Sequence, residues 1–401
     1  MVGQDQAAVD GSLLDDARGL LPDLVALRRQ VHRHPELGLD LPRTQSAVLE
    51  ALGGLGLSVS TGERTTSVVA VLEGARPGPT TLLRADMDAL ALTEDTGLPY
   101  ASEFEGAMHA CGHDAHVAML AGAARVLAAR RRELAGRVVF MFQPGEEGDG
   151  GAKVMLEEGL LEHHGPVDRA FAIHITPMVP SGWVTSRPGP LMASSDEFRI
   201  TVTGRGGHAS MPHDAVDPVP VACEMVTALQ AMVTRRLPAF DPAVVTVGRI
   251  ATGTTWNVIP ETAVVEGTVR TVSDATRALA LEGIERVAAG VASAHLCAAR
   301  VEVVGVGYPV TVNDPGAAAG ALAVAAGLLG ADRVVTAPTP VMGAEDWSFV
   351  LQKVPGCMVF LGAAPPGVAH PAPNHSNLMV IDEPAMAAGV ALHAAMALRS
   401  G

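Results

Sequence analysis

Apolar and polar positions along the chain repeat in two rhythms, one helical and one extended. Residues 11–34 and 44–56 repeat their apolar positions every three to four residues, and the second stretch runs into "GGLG". Both predict amphipathic helices. Extended runs follow at 67–74 ("SVVAVLEG") and 80–88 ("TTLLRADMD"). A helix is predicted from about 114 to 134, a strand at 136–144, a helix at 150–161 and a strand at 169–175 ("RAFAIHI"). Strands alternating with helices call for a mostly parallel sheet with helices on both faces.

The rhythm changes after "SRPGPLMASS". Strand 196–204, helix 216–236, strands 243–251 and 262–272, helix 274–294 and strand 299–306 follow in turn. That β-α-β-β-α-β order is the ferredoxin-like unit. The α/β pattern then resumes up to a C-terminal helix at 383–399. The expected fold class is α/β: a mostly parallel-sheet catalytic domain from residues 1–188 and 305–401, with an inserted ferredoxin-like α+β domain at 189–304. The most apolar run, 316–331, is made of Ala and Gly and is short for a membrane span. It follows "NDP", which can cap a helix, and so reads as a buried helix.

Composition narrows the partners. The chain has 401 residues, 48% hydrophobic and 3% aromatic, so aliphatic side chains must build its core. A net charge of −15 disfavours nucleic acid, whose phosphates need a basic surface. The opening "MVGQDQAAVDGSLL" has neither the basic start nor the apolar core of a signal peptide. Cys111, Cys223, Cys297 and Cys357 show no framework spacing. These features predict a cytoplasmic protein without membrane association.

The candidate chemistry is concentrated. "MHACGHDAHVAML" places His109, Cys111, His113, Asp114 and His116 together just before a helical run. "FQPGEEGDGGA" sets Glu146 and Glu147 in a Gly-rich loop after a strand. "FAIHITP" has His174 at a strand end, and "PNHSN" has His375 in a loop. Singly, each is an ordinary surface or core residue. Together, on loops beyond strand ends, they can converge on one metal or a pair.

Phrases along almost the whole chain resemble the M20 metallopeptidase and amidohydrolase family. The likeness is to the branch of N-acyl-amino-acid amidohydrolases, hippurate hydrolases and auxin-conjugate hydrolases. The phrases include "HRHPELGLDLPRT", "LLRADMDAL", "HACGHDAH", "FQPGEEGDGGA", "GRGGHASMPH", "WNVIPETAVVEGTVRT", "MGAEDWSF" and "HSNLMVIDE". The resemblance implies that Cys111 bridges two divalent metals, with His113, Glu147, His174 and His375 as further ligands. Glu146 would be the general base, acting on a water made acidic by the metals. Many M20 peptidases have a His-x-Asp pair where this chain has "RADMDAL", so Asp86 and Asp88 are expected to orient a ligand. The mixed N, S and O donors suit Mn²⁺, which the branch favours, then Zn²⁺, Co²⁺ or Ni²⁺.

From the inserted domain, the resemblance implies that His208 hydrogen-bonds the substrate carbonyl, with Asn257 as an amide donor. Arg270 would take the substrate carboxylate. It also implies a homodimer formed through the inserted domain. The expected activity is metal-dependent hydrolysis of an N-acyl amino acid to a carboxylate and a free amino acid. Alternatives are an exopeptidase or an aminobenzoyl-glutamate-type hydrolase of the same family, and, further off, a hydrolase using Cys111 as nucleophile. An inactive metal-binding module is the last, and the intact Glu146–Glu147 pair argues against it.

Overall fold

The computed structural model describes residues 11–399; the reading of the extreme N-terminus as lacking a signal peptide falls partly outside the described residues. The chain divides into two compact units. Of the described residues, the large one takes 11–191, Val312–Thr339 and 349–399. The small one takes Met192–Thr311 and also Pro340–Ser348, a loop segment whose membership no apolar period announces.

The large unit is built on an eight-stranded sheet. Its order is Ser58–Thr61, Val68–Glu73, Ala135–Gln143, Arg76–Asp86, Arg169–Thr176, Gly356–Gly362, Val184–Ser186, Val334–Thr336. The four central strands, from 135–143 to 356–362, are parallel. Antiparallel pairs lie toward the two margins. Leu83, Phe140, Phe171 and Val359 are buried on one face; Leu82, Val139, Ala172 and Met358 are buried on the other. A strand covered on both sides must be apolar throughout, which explains runs such as "RVVFMF". Helices His113–Ala129 and Met386–Leu398 are buried almost all round and pack against this sheet.

The helical stretch predicted at 11–34 is two helices, Ser12–Gly19 and Leu21–Arg33. Pro22 is the reason: it fits a first turn but would break the interior of a longer helix. A buried charge network ties the second of these helices to the sheet-covering helix. Asp114 Oδ2 accepts from Arg28 Nε at 2.8 Å and from His32 Nδ1 at 2.7 Å. His32 Nε2 faces Glu94, and Arg28 Nη1 reaches Glu383 at 2.9 Å. Buried charges persist only when paired like this.

The small unit has four antiparallel strands in the order Ala243–Thr252, Thr262–Thr271, Ser195–Thr203, Ala298–Tyr308. Along Ser195–Thr203 buried and exposed residues alternate, as in a sheet covered on one side. Helices Pro218–Arg236 and Asp274–Ala294 supply that cover, with Met225, Leu229 and Ile284 against Phe198, Ile200 and Val265. Asp217 and Ser273 cap them, accepting from Val219 N and Thr276 N. Among the described residues, no helix is long and apolar enough to cross a membrane.

Asp114→Ala would leave Arg28 and His32 buried without their shared carboxylate. Urea unfolding is expected to show a loss of about 3–5 kcal/mol, the usual cost of removing one partner of a buried pair. A loss under about 1 kcal/mol would mean the network contributes little.

Candidate metal centre

Strands 76–86, 135–143 and 169–176 are parallel, so their carboxyl ends meet at one edge of the sheet, where α/β folds place ligands. Asp86 ends the first, Gln143 ends the second, and His174 stands two residues from the end of the third. Just past the first strand, the Asp88 carboxylate accepts from the amides of Glu146 and Glu147, each at 2.9 Å. The turn holding the two glutamates is closed by Gly148 N donating to Glu146 O at 2.8 Å.

Cys111 and His113 flank Gly112, whose φ of +93° belongs to the left-handed region that glycine tolerates. A Cβ there would also lie 2.5 Å from Ile175 Cγ2. The sharp turn starts helix 113–129 and leaves the thiol and the imidazole on either side of it. His375 has φ +69°, rare outside glycine. It is held there by its own amide, which donates to Ala110 O at 2.7 Å, and by Asn374 Nδ2, which donates to Cys111 O at 2.9 Å. Such over-determined strain is characteristic of functional positions.

The inner nitrogens of two imidazoles are committed to the backbone. His113 Nδ1 donates to Asp88 O and His174 Nδ1 to Ile175 O, each at 2.8 Å. Their Nε2 atoms therefore carry the lone pairs. His174 Nε2 is 3.4 Å from Cys111 Sγ, and His375 Nε2 is 3.3 Å from Glu147 Oε1. His113 Nε2 and Glu147 Oε1 are buried without a hydrogen bond. Two triads result, Cys111–His113–His174 and Cys111–Glu147–His375, with the donor atoms of each within 4.8 Å of one another. They share the Cys111 sulfur. A third group, His113–Glu146–Glu147, brings Glu146 alongside.

This donor set fits two divalent cations. Unbonded polar atoms in a dry site are costly, and a cation satisfies several at once. Burial pushes the Cys111 thiol up and holds His174 well below its usual range. A bound cation favours the thiolate and the neutral imidazole that ligation needs.

Asp86 reaches the cluster differently from Asp88. Its Oδ2 accepts from Arg84 Nη1 at 2.6 Å and lies 3.4 Å from His113 Nε2, and its Oδ1 bonds His116 Nδ1. Sequence reasoning passed over Arg84, Gln143 and Asn374. The signal for Arg84 is a charge inside the fully apolar run "LLRA", which demands a buried partner.

His208, Asn257 and Arg270 belong to the small unit. His208 is exposed on a two-residue strand paired with Val258–Ile259, and Ala209 N donates to Asn257 O at 3.1 Å. These bonds make His208 and Asn257 neighbours. Ser210 N donates to His208 Nδ1 at 3.1 Å, which makes Nδ1 the acceptor and Nε2 the donor of the ring. Asn257 Oδ1 accepts from Thr255 Oγ1, which leaves its amide hydrogens to donate. Arg270 is half-buried on strand 262–271 and has no ion pair among the described residues.

Fold and donor set together are those of a metal-dependent amide hydrolase. Residues 82–399 match the profile of peptidase family M20/M25/M40, and the chain belongs to that family. It is 37% identical to thermostable carboxypeptidase 1 of Saccharolobus solfataricus, over 96% of this chain and 98% of that one. It is 39% identical to N-acetylcysteine deacetylase of Bacillus subtilis, over 84% and 88% of the two chains. Among solved structures, the Bacillus subtilis YXEP protein, a dinuclear metal binding peptidase from the M20 family, matches with a TM-score of 0.82. That match has 34% identity and covers 95% of this chain and 98% of the other.

Gly112→Ala forces a side chain into the left-handed region, costing about 1–2 kcal/mol before any clash with Ile175. The variant is expected to unfold at lower urea and to bind less metal by elemental analysis. Wild-type metal content would show that the turn does not set the donor geometry.

Proposed function

We propose that the protein hydrolyses N-acyl amino acids to a carboxylate and a free amino acid. The observation that carries this is the pair of donor triads sharing Cys111 with Glu146 beside them, in a chain similar to an N-acetylcysteine deacetylase. Cys111 would be shared by two cations, with His113, Glu147, His174 and His375 as the other ligands. Mn²⁺ is favoured over Zn²⁺ by the branch resemblance. Bound there, the cations supply Lewis acidity and a water that ionises near neutral pH.

The chain's own residues do the rest. Glu146 takes the proton of the attacking water and delivers it to the leaving nitrogen. The Nε2–H of His208 donates to the carbonyl oxygen as charge builds on it, assisted by the Asn257 amide. Arg270, unpaired and planar, receives the free carboxylate of the amino-acid part. His208 reaches the site of a second copy in a homodimer joined through the small unit, whose strand 243–252 is an open sheet edge. Carboxypeptidase action is the second reading, favoured by the 37% identity to a thermostable carboxypeptidase. We place the protein in the cytoplasm.

Chelation is expected to abolish hydrolysis across a panel of hippurate, N-acetyl amino acids, aminobenzoyl-glutamate and a peptide, with Mn²⁺ or Zn²⁺ restoring it. Glu146→Gln should lower kcat by at least about 10²-fold with metal content kept, while Glu147→Gln should lose metal. Activity that resists chelation but falls on alkylation would instead assign Cys111 as a nucleophile.

His208→Ala and Glu146→Ala should each be nearly inactive alone. Refolded together, they should regain up to about a quarter of wild-type activity, because random pairing gives half the molecules one complete site. Mixed dimers without recovered activity would confine His208 to its own chain.

A further inference from the structure

By geometry alone His116 could be a metal donor, since its donor atom lies with those of Asp86 and His113 within 4.8 Å of one another. Its hydrogen bonds say otherwise. Nε2 accepts from the Ile175 amide at 2.7 Å, and an amide can only donate, so that lone pair is taken. The ring proton is then on Nδ1, which donates to Asp86 Oδ1. Both nitrogens of this buried ring are used.

The partners explain why a side chain is needed there. Pairing between strands 76–86 and 169–176 stops at Arg84 and Ala172, so Ile175 lies beyond the last strand partner on that side. His116 supplies the missing acceptor. On its other side the chain of bonds continues through Asp86 to Arg84, and from Arg84 Nε to Gln143 Oε1 at 2.9 Å. One buried line of hydrogen bonds therefore joins the ends of the three strands that lead to the donor loops. The ring itself stacks on His113 (centroids 5.4 Å, planes 28° apart) and meets His174 edge-on (4.9 Å, 72°).

We propose that His116 is a positioning residue: a strut, not a ligand, that fixes His113 and His174 relative to one another before any cation arrives. The inference rests on the two-metal reading of the site. Its test is cation affinity, measured on metal-stripped protein by competition between a chelator and Co²⁺, with the Co²⁺ absorption spectrum recorded alongside. His116→Leu removes both bonds and should weaken affinity about 10–100-fold, the usual effect of losing a group that orients a ligand. His116→Asn keeps a donor toward Asp86, and His116→Gln keeps an acceptor toward Ile175. Each should bind between wild type and the Leu variant, and these two decide the matter if the Leu variant does not fold. The residual Co²⁺ complex should keep its thiolate band and its count of imidazole ligands by X-ray absorption.

Affinities within about twofold of wild type in folded variants would overturn the strut, whatever their thermal stability. Loss of one imidazole from the metal shell of a variant would overturn it too, by making His116 a ligand. Wild-type protein that binds no Co²⁺ would overturn the metal reading and the strut together.

Discussion

Asp88 is the joint on which the large unit's chemistry depends. Its carboxylate accepts the amides of Glu146 and Glu147, and its carbonyl accepts His113 Nδ1. One residue just past the end of one strand thus fixes a loop after a second strand and the first residue of a helix. Two of those bonds run to backbone amides, so they set chain positions rather than rotamers alone. Donor geometry in this protein is consequently a property of the fold, and a cation meets it ready-made.

The same logic extends along helix 113–129. Its first turn is gripped from one side by Asp114 with Arg28 and His32, and from another by His116 with Asp86. Polar groups in a dry interior are tolerable only with partners, and most of these have two. Buried polar atoms without a hydrogen bond remain at His109, Asp114 Oδ1, His113 Nε2 and Glu147 Oε1, and the last two lie inside the donor cluster. Those two are atoms that a cation bound in the cluster would satisfy.

Much of this was legible from residues alone. The strands buried on both faces showed as uninterrupted apolar runs, and the small unit's alternation showed as a β-α-β-β-α-β series. The strand Gly356–Gly362 went unmarked, although "GCMVFLG" is such a run. It is bounded by Pro355 and a proline-rich loop, with no neighbouring strand in sequence to set its frame. The break at Leu20 was signalled by Pro22, which a period count overlooks. In the site, residue identity revealed candidate donors but not their hydrogen bonds. That His116 is saturated while His113 is not depends on where strand 76–86 stops pairing, a tertiary fact absent from local pattern.

The placement of chemistry between the two units follows from what each group must meet. A cation is small and always the same, so the proposed donors can be mutually braced and held by strained backbone, as Gly112 and His375 show, although the His375 side chain itself is 56% exposed. A substrate arrives and leaves, so groups that address it must be reachable by solvent yet not free to wander. Under the proposed function His208 and Asn257 would meet both demands: they are exposed, and a two-residue strand pairing with the Ser210 and Thr255 bonds orders them locally. Rigidity in the large unit comes from burial; in the small unit it comes from short-range hydrogen bonds at the surface. The second kind is weaker per group, and that would suit the proposed contacts, which must form and break in every turnover.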